Sequence, residues 1–346
     1  MWRSVVLKAS LLVVMVMLCV GVPIANAEGV ALNWTSPTIQ DLESVFMVSA
    51  SDGWAVGGWG AIIRWNGTDW STVTSPIAKT LLSVFMVSAT DGWTVGDDGT
   101  TIHWDGTDWT TVTSLTTSPL RSVFMVTATD GWAVGTLGTI IRWNGTDWGT
   151  VTKPTTVTLY SVFMVSASDG WAVGNSGTII RWNGTDWSTV TKPTTEHLYS
   201  VFMVSATDGW AVGQWGRIIH WGGTEWSIVT SPTATHLNSV FMINANDGWA
   251  VGTGGTIIRW NGTDWSTVTS PTATHLNSVS MVSASDGWAV GDSGTIIRWN
   301  GTQWIPEFPT VILMPLLISL TLAAVILAKT ASKKHRSPSL PSKTRL

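Results

Sequence analysis

The chain is short of charge and nearly free of cysteine. Of its 346 residues only 12% are Asp, Glu, Lys or Arg, and there are 2 tyrosines and 1 cysteine, Cys19. That cysteine lies in the apolar opening stretch, so neither a disulfide nor a thiolate metal site is expected in the remainder. Low charge combined with 25 tryptophans excludes a disordered chain, which needs charge and few aromatics. Basic residues are scarce in the body: all 22 acidic residues lie between Glu28 and Glu307, against 10 of the 18 Lys and Arg. So acidic a stretch offers no basic face for phosphate, and nucleic acid is not an expected partner.

The two ends read as addresses. Arg3 and Lys8 precede an apolar run from Ala9 to Ile24 and the exit Ala25-Asn26-Ala27, so residues 1–27 are expected to be a secretory signal peptide cleaved after Ala27. Leu18, before Cys19, is too large for a lipoprotein site. At the other end Pro306-Glu307-Phe308-Pro309, read as a linker over 306–309, introduces an uncharged run over 310–328 and then a basic tail over 329–346. The run is about long enough to cross a bilayer, and Lys329, Lys333, Lys334 and Arg336 place its far end in the cytoplasm. The expectation is a single-pass, membrane-anchored protein with its body at the cell surface. The tail resembles the PEF-type C-terminal sorting signals of archaeal surface proteins, with Pro306, Glu307 and Phe308 as the tripeptide. That resemblance implies an archaeosortase-type processing enzyme that cuts near the tripeptide and transfers the protein to another anchor. The alternative is permanent anchoring by the helix itself.

Between the ends the sequence repeats. The tryptophan of Asp-Gly-Trp recurs at Trp54, Trp93, Trp132, Trp171, Trp210, Trp249 and Trp288, every 39 residues, and two further series run from Trp65 to Trp299 and from Trp70 to Trp304. Each unit reads as four strands, near 42–50, 54–57, 61–65 and 69–74 in the first copy. Asn66-Gly67 is expected to form a type I′ hairpin turn. Four antiparallel strands repeated seven times predict an all-β, seven-bladed β-propeller over residues 28–305. The last copy stops at Trp304, while an orphan Asn-Trp-Thr-Ser-Pro-Thr stands at 33–38. Residues near 31–38 are therefore expected to supply the outer strand of the last blade, removing an open edge. The segments DGWAVG, GTIIRW and GTDW resemble the repeats of photosystem II assembly-factor-like and BNR (Asp-box) propellers over residues 42–304. This resemblance implies the same fold, although Asn-Gly-Thr-Asp stands where an Asp-box has Asp-Gly-Gly.

The 21 in-register tryptophans are expected in the core, because faces of adjacent blades need large apolar fillers. Trp59 and Trp215 fall outside the three series, at the tips between the second and third strands where another copy has Asp97 and Asp98. Trp59, Trp215, Asp97 and Asp98 are the candidate contact residues. The basic series from Arg64 to Arg298, with His103 and His220, is expected to pair with nearby acids such as Asp52 or Asp69. Asn33, Asn66, Asn144, Asn183, Asn261 and Asn300 each begin Asn-x-Thr and are candidate glycan acceptors. His197, His236 and His275 lie in blade connections without metal-ligand spacing, so no metal or cofactor is expected. Tyr160 and Tyr199 occupy equivalent positions, which suits packing. The expected function is non-catalytic binding or scaffolding at the cell surface. A surface protein or glycan would be held on the face formed by the tips and interblade connections. The other readings are a structural envelope component without a ligand and a sialidase-like glycoside hydrolase.

Overall fold

The structure, a computed structural model, describes residues 36–307. The signal peptide, Asn33, Phe308, the apolar run 310–328 and the basic tail lie outside the described residues. Among the described residues no helix is long and apolar enough to cross a membrane.

Seven four-stranded antiparallel sheets, each built from consecutive strands, form the blades of a β-propeller. In the first blade the strands are Leu42–Ser49, Asp52–Gly57, Ile62–Trp65 and Trp70–Thr72, with a one-turn 3-10 helix, Gly58–Gly60, at the tip between the second and third. The first strands pack side by side round the axis. From Phe46 to Phe241 six phenylalanines stack between successive first strands, with ring centroids 4.7 to 4.9 Å apart. Neighbouring first strands are also stitched by serine: Val84 N–H donates to Ser44 Oγ at 3.2 Å, and the same bond recurs at every blade junction.

The core lies between blades. Each apolar cluster joins the outward-facing residues of one blade to those of the next, as Trp54, Val56 and Ile62 meet Leu81, Val84, Met86, Trp104 and Trp109. Trp54 inserts between Trp104 and Trp109, at 4.8 and 5.3 Å between centroids, and the second contact is edge-on. The three tryptophan series thus form seven interblade triads, all buried except Trp260, which is partly so. Burying an indole removes roughly 150–250 Å² of surface from water, worth several kcal/mol as an upper bound. A fold without disulfides holds together on this packing.

The basic series pairs as expected, and its partner is the turn aspartate. Arg64 Nε donates to Asp52 Oδ1 at 2.9 Å, with the guanidinium 4.8 Å from the Trp54 ring centroid. All seven blades repeat the pair, with His103 and His220 meeting Asp91 and Asp208 at 2.8 Å.

Three expectations need correction. The outer strand of the last blade is Trp304–Pro306, paired with Ile296–Trp299; of the expected segment 31–38, residues 36–38 form no strand and 31–35 lie outside the described residues. Residues 36–38 take the place of an interblade connection. A Cβ on Gly294 would run into the Thr38 carbonyl, just as one on Gly60 would meet that of Ile77. The orphan motif matched the wrong half of its template, because its Ser-Pro belongs to the connection. Second, Pro306 and Glu307 are part of the blade: Glu307 N–H donates to Ile296 O at 3.1 Å, continuing the ladder past the expected linker boundary. Third, the Asn-Gly turns are not type I′, which needs positive φ at both central residues. Only Gly67 is positive, at +94°. Asn66 stands before the central pair and its Oδ1 accepts the N–H groups of Thr68 and Asp69, both at 2.9 Å.

Candidate binding face

The 3-10 tips and the interblade connections share one face. Gly58 N–H donates to Asp41 O at 2.8 Å, and the later blades repeat this bond. The Asp-Gly and Asn-Gly turns share the opposite face, where Gly67 approaches Ser51. Asn66, Asn144, Asn183, Asn261 and Asn300 are exposed there.

Each tip needs a residue in the left-handed region at its centre. The last described blade but one meets this with Gly254, but the others carry Trp59, Asp98, Leu137, Ser176, Trp215 and Ser293, at φ of +54° to +58°. A side chain there costs about 1–2 kcal/mol, and bulky residues are rare. Trp59 is 75% exposed and Trp215 64% exposed, so neither recovers that cost by burial. The strain belongs to the tip fold itself, shared with Asp98, Leu137, Ser176 and Ser293; what sets Trp59 and Trp215 apart is the large exposed ring. Asp98 is also exposed and pairs with Lys79 at 2.8 Å; Asp97, beside it, is partly buried.

The connection histidines brace the tips. Trp215 N–H donates to His236 Nδ1 at 3.0 Å, with the two rings 4.8 Å apart. Ser176 and Gly254 donate likewise to His197 and His275, and Ser293 N–H donates to Asp41 Oδ1. An imidazole whose Nδ1 accepts carries its proton on Nε2, so these three residues serve as structural acceptors. Among the described residues no group of His, Cys, Asp and Glu could hold a metal ion.

Trp59 and Trp215 are on the same face but in the first and fifth blades, so the structure does not bring them together. Two features lie nearer the centre and side. A cleft of about 350 Å³ between the fourth and fifth blades is lined by Lys192, Thr194, Glu196, Arg217 and Ile228. The Thr194 hydroxyl and the Arg217 guanidinium hold the Glu196 carboxyl down at about 2. The second feature is the axial mouth. The first strand of every blade has a bulge just after its opening leucine: Leu42 faces Gly57 and Ser44 faces Val56, leaving Glu43 without an opposite residue. Bulges re-aim a side chain, and here they do so at the ring of first strands.

Sequence reasoning missed this position, although a signal was present. Leu, Ser and Val around it are identical in all seven copies, while the bulged residue is Glu43, Leu82 and Arg121 in the first three blades, Tyr160 and Tyr199 in the next two, and Asn238 and Asn277 in the last two. Tyr160 and Tyr199 touch edge to face at 5.3 Å. The two asparagines are spent on the scaffold, donating to Leu276 O and to Leu42 O. Burial and the neighbouring Asp292 and Asp41 push the Glu43 carboxyl up, with Arg121 opposing.

No family model matches the chain, and no curated protein matches it. Solved structures do. A structure of YCF48 bound to a D1 peptide superposes with a TM-score of 0.65 at 16% identity, covering 81% of this chain and 99% of the other. YCF48 from Cyanidioschyzon merolae matches with a TM-score of 0.64 at 17% identity, covering 77% of this chain and 97% of that one. The WD40 β-propeller domain of Doa1 gives 0.64 at 16% identity, over 75% and 92%. At such identities the likeness is one of fold, and the chain is a seven-bladed β-propeller.

Proposed function

We propose that the protein is a non-catalytic recognition module that binds a protein partner through its tip face. In this reading residues 1–27 export the chain and residues 310–328 tether it, with the propeller outside the cell. The PEF-like tripeptide marks it for an archaeosortase-type enzyme, and sugars on the Asn-Gly tips would cover the opposite face. One observation carries the proposal: the seven copies diverge on the tip face, at Trp59 and Trp215, in the connections and at the bulges, while the opposite turns stay nearly constant. A scaffold has reason to keep its turns alike, and specificity needs broken symmetry. The in-register tryptophans are committed to interblade packing, so they offer no aromatic ladder to a glycan. The YCF48 structure with its bound peptide supports a peptide or protein ligand for a propeller of this kind.

A photo-crosslinking amino acid placed at 59, at 215, or at Thr68 on the opposite face tests this in intact producing cells. Cross-links to a defined protein from 59 and 215, and none from 68, are the expected result. Cross-links only from 68 would overturn the assignment.

A further inference from the structure

The geometry points to the axial mouth of the tip face as the specificity pocket, built to take a protein segment that carries a Lys or Arg beside an aromatic or large aliphatic residue. This rests on the reading of the tip face as the binding surface and names the chemistry at its centre. The seven bulges deliver one side chain each to the same ring, and the register is variable between invariant neighbours. A residue with only a packing role in a near-identical repeat would repeat too.

The chemistry of the ring is split. On the side of the seventh, first and second blades Glu43 is half-buried and feels the charges of Asp292, Asp41 and Asp97, against the single cation Arg121. Asp41 and Asp292 already accept from Ser293 N–H and Asn277 Nδ2, so they are fixed in place. Arg121 forms no ion pair among the described residues, and its buried Nε has no partner. Negative charge thus outweighs positive charge in a partly dehydrated setting, where a basic side chain is the complementary guest. On the side of the fourth and fifth blades the Tyr160 and Tyr199 rings lie in contact, with His236 beyond Tyr199 at 6.2 Å. That wall suits an apolar or aromatic side chain with few hydrogen-bond demands. Below the mouth the partly buried phenylalanines of six blades stack between successive first strands, with Ser280 in the seventh.

The test pans the full-length protein, in detergent micelles, against a bead-displayed library of random linear heptapeptides. The expected result is enrichment of peptides with a Lys or Arg at a fixed spacing from an aromatic or large aliphatic residue. Glu43→Gln should reduce the preference for the basic residue and weaken the wild-type-selected peptides about tenfold by fluorescence anisotropy, as loss of a charge-assisted bond implies. Tyr160→Ala with Tyr199→Ala should abolish the apolar preference and leave the basic one. Glu43→Gln should melt no lower than the parent, whereas Tyr160→Ala with Tyr199→Ala gives up the ring contact between the fourth and fifth blades and should melt somewhat lower, so its selection is read well below its own melting temperature. Absence of peptide enrichment, enrichment without a basic residue, or unchanged selection by Glu43→Gln would overturn the pocket. If cross-links from 59 and 215 persisted in that case, the recognition role would stand without it. Cross-links confined to 68 would remove both.

Discussion

The seam between the last blade and the first carries a carboxyl where every other seam has a valine. Val73, Val112, Val151, Val190, Val229 and Val268 each pack against an interblade cluster, and Glu307 stands in the seventh register. Burial, with Arg298 opposing and Asp69 and Asp286 reinforcing, pushes its pKa from 4.5 up to about 7. The protonated form is therefore the one the fold prefers. Its stabilising contribution is fully present below the unfolded value of 4.5 and is lost as pH rises through about 7. Such a shift corresponds to about 3 kcal/mol at full strength. Because Glu307 is only partly buried, solvent screening brings the effect to about 1–2 kcal/mol. Glu307→Val should then raise the melting temperature by about 2–6 °C at pH 8. Most of that gain should vanish at pH 5, where the parent's carboxyl is protonated. Glu307→Gln should remove the pH dependence without supplying valine's packing. Thermal unfolding of the three proteins at both pH values decides the matter. An equal gap between parent and Glu307→Val at pH 5 and pH 8 would show that the carboxyl is not dehydrated in the seam.

Two further outcomes follow from the same structure. Trp288→Ala should cost about 3–5 kcal/mol, as much as Trp132→Ala, because Trp288 packs on Trp65 and Trp70 across the seam as Trp132 packs on Trp182 and Trp187; a much smaller loss in chemical denaturation would mean an open ring. Trp215→Gly should leave stability unchanged or raise it by up to about 1 kcal/mol, since glycine relieves the left-handed backbone at that tip. The same change should weaken partner cross-linking from position 59, and a large loss of stability instead would make Trp215 a structural residue.

The architecture was legible in the residues because its cause is local and repeated. A 39-residue period, turns at Asp-Gly and Asn-Gly, and alternation within short strands specify the blade, and seven copies specify the ring. The three tryptophan series were legible as core for the same reason, and so was the pairing of the basic series with nearby acids; that Arg64 bonds Asp52, twelve residues away on an adjacent strand, was decided by the strand register. Other features depend on pairing that no single unit contains. The bulge that frees Glu43 exists only once Leu42 and Ser44 have found Gly57 and Val56, and the ring of bulged residues forms only when blades 39 residues apart converge on an axis. Closure was misassigned because the orphan motif near residue 33 resembles both a strand end and a connection. The choice between them was made by the ladder from Ile296–Trp299 to Trp304–Pro306, which takes Glu307 into the seam. Period and composition set the repeating unit; the closed ring decided which of its variable positions meet, because side chains far apart in sequence share a site only where tertiary packing brings their strands together.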